Sequence, residues 1–550
     1  MVMALQFASR PSERSQCIVE TLEADVAVVG SGIAGALCAY FLAKRGLRVI
    51  VLEAGPRITR AGIVEGFRTS YEVDLSAGYP NTDLAPRPNA GDPRDDFLVQ
   101  DGPLPFKVEF LKLVGGTTWH WAGGATRMYP ADFRLHSIYG QGCDWPISYD
   151  DLEPYYAQAE VELGVSGAFA PGQGPPRSTP FPMTPSPLNA QAKWITDRLA
   201  PHGIHFNPFI AARATRSYDG RSKCLGYNSC MPICPTGANY NAIVHVEKAE
   251  AAGARVLENA LVTRLSADAR TQSMTGLDVR RADGSPLRVT ARHYVLAANG
   301  LENAKLLLMS SHEHAPAGLA NSSDQVGRNL MDHPGFTTTM LGSGPTYPGR
   351  GPAYLVSCWQ HVDTPERKHS AGFRLNLANS VNLHKMARDL IMAGHTAKSA
   401  DTEIRRRATH LIAFDTALEA LPAPGNRVTL DATKLDRSGL PKMRIRYELG
   451  GYERSGVEAA KTVLRRIAVI LGATGLEFSD VFMHSHLMGT TRMGDDARTS
   501  VADNECRTHD IANLHIAGSS LFPASACGHP TLSIAALSIR LAASIARQLT

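Results

Sequence analysis

The sequence predicts an α/β protein in which a Rossmann-like dinucleotide-binding domain is joined to a mixed α+β region. Three observations predict it. An apolar strand pattern runs into Gly30-Ser-Gly32-Ile-Ala-Gly35, a short second strand closes on Glu53, and buried-strand patterns return late in the chain at 294–298 and 514–517. Residues 24–30 (ADVAVVG) are apolar without alternation, as expected of a parallel strand covered on both faces. Gly30 permits the tight turn, Gly32 lets the backbone approach a pyrophosphate, and Gly35 lets a helix pack on the strand. The helical pattern ALCAYFLAKRG follows, and its first turn offers free N–H groups and a positive dipole end to phosphates. A second strand, 48–52, ends at Glu53, whose carboxylate can accept from a ribose 2′-OH. This fingerprint does not decide between NAD and FAD.

Residues 114–124 (VGGTTWHWAGG) form a second glycine-rich segment containing Gly115, Gly116 and Thr117, with tryptophans on both sides of His120. Its bland reading is a packed loop with aromatic anchors. Ser148-Tyr-Asp-Asp151 is a capping box that opens the helix DLEPYYAQAEVELG. After the strand at 294–298, an amphipathic stretch starts at Asn303, and residues 340–450 lose the α/β alternation, as expected of a substrate-facing insertion. The C-terminal part carries His486-Leu-Met-Gly489-Thr-Thr-Arg-Met-Gly494, the strand at 514–517 and the turn Gly518-Ser519-Ser520. Cys527-Gly-His529-Pro530-Thr531 then opens a long apolar helix reaching about residue 548. Proline suits the first helical position, and the helix start presents unpaired N–H groups to an anionic edge of a cofactor.

Composition narrows the partners. The 550 residues are 44% hydrophobic and 20% charged, and 56 basic against 52 acidic residues leave +4, with no basic stripe for nucleic acid. The first twenty residues lack the long apolar core of a secretory signal, and no run of roughly 18 apolar residues free of glycine and charge suggests a spanning helix. The expectation is a chain that neither exports nor anchors itself. Nine sparse cysteines do not read as a disulfide framework. Three of them, Cys224, Cys230 and Cys234, crowd into a loop rich in Gly, Asn and Pro, spaced C-x5-C-x3-C with Pro235 after the third. Thiolates this close can converge on one cluster, whereas a structural zinc wants a fourth ligand that the run lacks; buried free thiols are the alternative.

GSGIAG with Glu53, VGGTTWHWAGG, HLMGTTRMG and GHPT before the last helix occur in the order found in the glucose-methanol-choline (GMC) oxidoreductases, and the sequence resembles that family over about residues 24–548. CDWPISYDDLEPYY, YDGRSKCLGYNSCMPICPTGA and NSSDQVGRNLMDHPG look most like a bacterial subgroup, the catalytic subunits of fructose, glucose, gluconate and sorbitol dehydrogenases. The resemblance implies the GMC fold. Its FAD-binding domain would be discontinuous, over 20–145, 222–335 and 480–550, with a substrate-binding domain and insertions over 146–221 and 336–479. It implies FAD held by both glycine-rich segments together with Gly518, Ser519, Pro530 and Thr531. It also implies His486 as the base that takes an alcohol proton while hydride leaves to flavin N5, and His529 as its partner, stabilising alkoxide charge. His120 matches a position that bonds covalently to the flavin in some sugar oxidases, and it stays open between that role and a structural one.

For the three cysteines the resemblance implies a three-iron, four-sulfur cluster. Leu225 stands where several relatives carry a second cysteine, which makes Cys224 the weakest ligand. The substrates implied are sugars, glycosides or polyols. The partners implied are a small subunit bearing an export signal and a cytochrome c acceptor, and the location implied is the periplasm. An oxidase using dioxygen, a non-redox lyase on the same fold, and a flavin-binding subunit without catalysis are the competing readings.

Overall fold

The computed structural model describes residues 19–70, 78–87, 97–106, 108–170, 173–268 and 270–549. The N-terminal residues read for an export signal therefore lie, up to residue 18, outside the described residues.

Strand Glu20–Val29 starts four residues earlier than the apolar run suggests, because its first half pairs with Pro286–Leu296 beyond the motif. Around it runs a parallel array in the order Arg255–Leu257, Val49–Leu52, Glu20–Val29, Pro286–Leu296, with Leu514–Ile516 pairing onto the far end of Pro286–Leu296. Ser273–Arg281 and Ala260–Asp268 extend the sheet as an antiparallel meander. Helix Ile33–Ala43 follows the glycine turn and packs between Pro530–Leu549 and Ile243–Ala251. Its apolar residues are buried almost all round, which is why no polar face breaks the pattern ALCAYFLA.

Helix Tyr149–Leu163 begins at the expected capping box. Ser148 accepts from the Asp151 N–H, and the Asp151 carboxylate accepts from the Ser148 N–H. It packs on Pro530–Leu549 and belongs to the same core as the dinucleotide-binding sheet. Pro530–Leu549 is long and apolar enough to cross a membrane by length and composition, although Arg540 interrupts its apolar run, in keeping with the sequence expectation, and 67% of its 18-residue apolar window is buried inside the protein. It serves as a core helix between the Ile33–Ala43 and Tyr149–Leu163 helices.

A second sheet is antiparallel, in the order Thr474–Phe478, Pro334–Leu341, Leu411–Leu418, Phe373–Ala378, Tyr354–Cys358, Asn207–Pro208. Alternation along its strands sorts the residues by face. Phe373, Leu375, Leu377, Ile412 and Phe414 join a core covered by helix Gly451–Ile470. Arg374 and Asp415, one residue out of step, turn the other way and line the cavity described next.

Candidate active site

Two adjoining cavities, about 120 and 310 Å³, open at the carboxyl ends of the parallel strands and share Gly32, Thr117, Ala297 and Asn299 as wall. Ligands bind at such strand ends in open α/β sheets because the loops there are free to shape a crevice. Gly30, Glu53 and Gly116 line the smaller cavity. His120, Gly518, Ser519, Pro530, Thr531 and both candidate catalytic histidines line the larger. Gly35 and Gly115 sit behind the wall. A Cβ on Gly35 would lie 1.9 Å from the Gly30 carbonyl oxygen, and one on Gly115 would meet Asn241 Oδ1 and Trp119 Nε1 at 2.9 Å. Gly32 is different: a Cβ there would meet nothing within 4 Å.

The smaller cavity carries Glu53 at one end and the Lys112–Glu302 ion pair, 2.8 Å apart, elsewhere in its wall. Glu53 is buried, and its carboxylate accepts from the Ser31 N–H at 3.0 Å, the Ser31 hydroxyl at 2.7 Å and the Gly55 N–H at 3.1 Å. Burial pushes its carboxyl above the usual range against these donors. Helix Ile33–Ala43 starts at Gly32 with no side-chain cap, so its first N–H groups are left for a ligand.

The larger cavity is ringed by histidines. His486 and His529 stand edge to face, ring centroids 6.1 Å apart. His333, on the segment before strand Pro334–Leu341, puts its Nδ1 2.8 Å from Nδ1 of His486, and its Nε2 lies 2.9 Å from the Ala526 carbonyl oxygen. His484 stacks on His486 at 5.8 Å; its Nδ1 lies 3.0 Å from the His333 carbonyl oxygen and its Nε2 3.1 Å from Asp415 Oδ1. Tyr354 donates to the other Asp415 oxygen at 3.2 Å, and buried Arg374 donates to the Cys527 carbonyl.

Local backbone explains how loops so distant in sequence present rings to one point. Ser485, at φ 59°, swings His484 and His486 to the same side, and Ala526, at φ 53°, turns its carbonyl to His333. Asp332 Oδ1 accepts from the N–H of His333 at 2.6 Å and of His486 at 2.8 Å, clipping the two segments together. Gly124 lets the His529 ring seat, since a Cβ there would come within 2.5 Å of it. The His529 N–H bonds to the Thr126 hydroxyl at 3.1 Å, while its Nδ1 is buried with no partner among the described residues.

The charges sort by environment. Burial first, then the surrounding His333, His484 and Arg374, hold His486 well below the ordinary histidine range. Burial, then Arg374 and His333, does the same to His529. Burial alone would also lower His484, but the Asp415 carboxylate overrides it and keeps that ring above its usual value; Asp415 is held low in return. Both His484 nitrogens face oxygen acceptors, as an imidazolium requires. Asp332, buried, is pushed up to about 7.

His120 is buried edge-on to Tyr79, ring centroids 5.8 Å apart. The three cysteines share one loop whose Met231 reaches the larger cavity, but the expected ligand set is not assembled. Among the described residues no three His, Cys, Asp or Glu side chains converge as metal ligands. Cys224 and Cys234 pack against the same cluster of Met183, Ala214 and Ala238, the Cys234 sulfur lies 3.7 Å from the Thr236 hydroxyl, and buried Cys230 lies 4.0 Å from Arg213 Nη2.

These cavities agree with what the chain is similar to. Residues 202–335 and 422–538 match the two models described as GMC oxidoreductase, and residues 25–64 match one described as FAD dependent oxidoreductase. The chain is 39% identical over 540 residues to the fructose dehydrogenase large subunit of Gluconobacter japonicus, covering 96% of this chain and 99% of that one. The chain belongs to the GMC oxidoreductase family. It is 30% identical over 549 residues to a 2-methyl-1,2-propanediol dehydrogenase of Mycolicibacterium austroafricanum, 96% of each being covered. Its GMC fold also matches the crystal structure of a pyridoxine 4-oxidase from Mesorbium loti, with a TM-score of 0.63 at 17% identity over 94% of this chain and 98% of that one.

This GMC oxidoreductase is an FAD-dependent enzyme, and the site suits the cofactor on its own terms. The uncapped helix start, the open faces of Gly32 and Gly518 and the unpartnered His529 Nδ1 all front the cavities. Sequence reasoning missed His333, His484, Asp332, Arg374, Asp415 and Tyr354. Asp332 and His333 sit in NSSDQVGRNLMDHPG, a motif already singled out, and His484 lies two residues before HLMGTTRMG, where the doubled histidine was a usable signal. The other three gave none, because strand alternation alone does not reveal which face meets a cavity.

Proposed function

We propose that this enzyme oxidises a hydroxyl of a sugar, glycoside or polyol to a carbonyl, with His486 as the base. One observation carries the reading: two neutral histidines and a buried Arg374/Asp415 pair face one cavity that adjoins a dinucleotide cleft. When bound, FAD supplies the hydride acceptor. His486, kept neutral by burial, takes the hydroxyl proton on the nitrogen that does not face His333. His529 offers a hydrogen bond to the same oxygen as negative charge develops on it. Arg374 and Asp415 supply donors and an acceptor for neighbouring hydroxyls, a lining suited to a polyhydroxylated substrate more than to an apolar alcohol. Gly30, Gly32, Glu53, Gly116 and Thr117 would hold the adenosine and pyrophosphate, and Gly518, Ser519, Pro530 and Thr531 the flavin end.

Electrons are proposed to leave to a protein acceptor past the loop 224–234, which reaches the cavity through Met231. A small partner subunit and a periplasmic location are part of this proposal. They are supported by similarity to a chain named a large subunit and to the gluconate 2-dehydrogenase flavoprotein of Pantoea cypripedii, at 24% identity. About three irons per chain in anaerobically purified protein would support a cluster on Cys224, Cys230 and Cys234, and iron-free protein with full transfer to a protein acceptor would end it. The division into FAD-binding and substrate-binding domains at the boundaries expected from sequence is likewise a proposal.

The deciding experiment is an anaerobic screen of sugars, glycosides and polyols for bleaching of the flavin absorbance. Bleaching by a polyhydroxylated compound supports the reading, and none by any of them refutes it in favour of a lyase. Peroxide formed in air without an added acceptor would reassign the enzyme as an oxidase.

A further inference from the structure

His333 is buried, and the reaction just described gives it no part, yet both of its ring nitrogens are engaged. Nε2 lies 2.9 Å from the Ala526 carbonyl oxygen and 3.4 Å from that of Ser525. A carbonyl oxygen only accepts, so Nε2 must carry the hydrogen. A neutral imidazole has one N–H, so His333 Nδ1 is bare. That bare nitrogen lies 2.8 Å from His486 Nδ1, which must then be the N–H of its own ring. The second nitrogen of His486, Nε2, is left with its lone pair.

We propose that His333 is a positioning residue for the reaction: anchored by Nε2–H on the Ala526 carbonyl, it locks the ring proton of His486 on Nδ1 and so offers His486 Nε2 as the base. This rests on the reading of His486 as the base. The proton of the substrate hydroxyl goes to His486 Nε2, and the Nδ1–H···Nδ1 bond to His333 becomes charge-assisted as the imidazolium forms, which strengthens it when the charge appears. The opposite tautomer pair would need an N–H on His333 Nδ1 as well as on Nε2, that is, a buried imidazolium. Burial and the positive charges of Arg374 and His484 oppose it. His529 faces the same ring, Asp332 bonds to the backbone N–H groups of His333 and His486, and Asp415 is engaged by His484 and Tyr354.

The first arm of the test needs no turnover. Long-range 15N–1H correlation spectra of 15N-histidine-labelled protein, with signals assigned by their loss in His333→Gln and His486→Asn, should show His486 as the Nδ1–H tautomer and His333 as Nε2–H. His486 as Nε2–H would overturn the proposal even if sugars bleach the flavin. Conversely, the tautomers can hold while no substrate bleaches it, which would sink only the function. The second arm compares His333→Leu with His333→Gln, whose amide keeps one acceptor and one donor. An imidazole in the wrong tautomer loses up to about 10⁴-fold in rate. Flavin reduction should fall about 10²-fold in His333→Leu, with its acid limb displaced from that of wild type, and stay within about tenfold of wild type in His333→Gln. Equal losses in both variants, or an unmoved acid limb in His333→Leu, would make the role merely structural. Should His333→Leu fail to fold, the spectra and the His333→Gln rate and pH profile decide the matter alone.

Discussion

The dinucleotide cleft and the histidine pocket share a wall but recognise their ligands by opposite means. The cleft has a backbone floor of glycines and an uncapped helix start around residues 30–53, completed by segments near 111–117, 260–262 and 297–309, with Glu53 and the Lys112–Glu302 ion pair among its side chains. The pocket is made largely of side chains delivered from seven separate places, at 120, 333, 354, 374, 415, 484–486 and 529. Backbone recognition of phosphates uses consecutive N–H groups, so it has to be local in sequence. Side-chain chemistry has no such constraint. The lesson concerns failure: the cleft should break when atoms are added, and the pocket when atoms are removed.

The largest expected effect is in the pocket. His486→Ala should retain FAD yet slow anaerobic flavin reduction by about 10²–10⁴-fold, the usual contribution of a general base; near-normal rates would place the base elsewhere. His529→Asn should be milder, since an amide still donates. In the cleft, Gly35→Ala drives a methyl into the Gly30 carbonyl, and denaturant unfolding should register a loss of about 1–3 kcal/mol together with poor FAD retention. Gly32→Ala provides the contrast within one motif. Its methyl enters open cavity, so stability should hold within about 0.5 kcal/mol while FAD affinity drops. Equal stability losses in the two variants would break the comparison.

A smaller effect separates the regions by pH. His333, His486 and His529 are held below their unfolded values, so as pH falls below about 6.5 the unfolded chain binds protons that the folded protein refuses. Stability should therefore decline on acidification from that point, by at most about 1.4 kcal/mol per pH unit for each histidine. His484 works in the opposite sense: its raised value makes its contribution disappear as pH rises past it. Thermal melts of the apoprotein between pH 7 and 5 check the balance, and a flat profile would contradict the assignment of three neutral rings. Smallest of all, Tyr354→Phe removes one donor to Asp415 and should cost about 1 kcal/mol, read from the same melts.

Legibility in the sequence follows the same divide. The strand, turn and helix at 20–43, the capping box at Ser148 and the helix from Pro530 are local structures, and their sequence signals stand where the elements do. His486 and His529 were legible through motifs. His333 was hidden although its motif was noticed, because its meaning comes from a contact 153 residues away. Arg374 and Asp415 were hidden because they sit in strands whose neighbours read as ordinary core. The cysteine loop is a different case: close spacing suggested a ligand set, and Cys224 and Cys234 do share an apolar cluster, but among the described residues no three potential ligands converge as a metal site.

The dinucleotide-binding sheet also sets a timetable. Its first strand begins at Glu20, yet the strand Leu514–Ile516 and the helix Pro530–Leu549 that complete it come some five hundred residues later. At roughly 5–20 residues per second, the ribosome needs on the order of half a minute to two minutes to join the two ends. Through that interval the face of Ile33–Ala43 that meets Pro530–Leu549 has no permanent cover, and the wall of the larger cavity at Gly518 to Thr531 has not yet been made. The larger cavity is thus closed last as the chain is made, and until then one apolar face of the nascent helix stands without its partner.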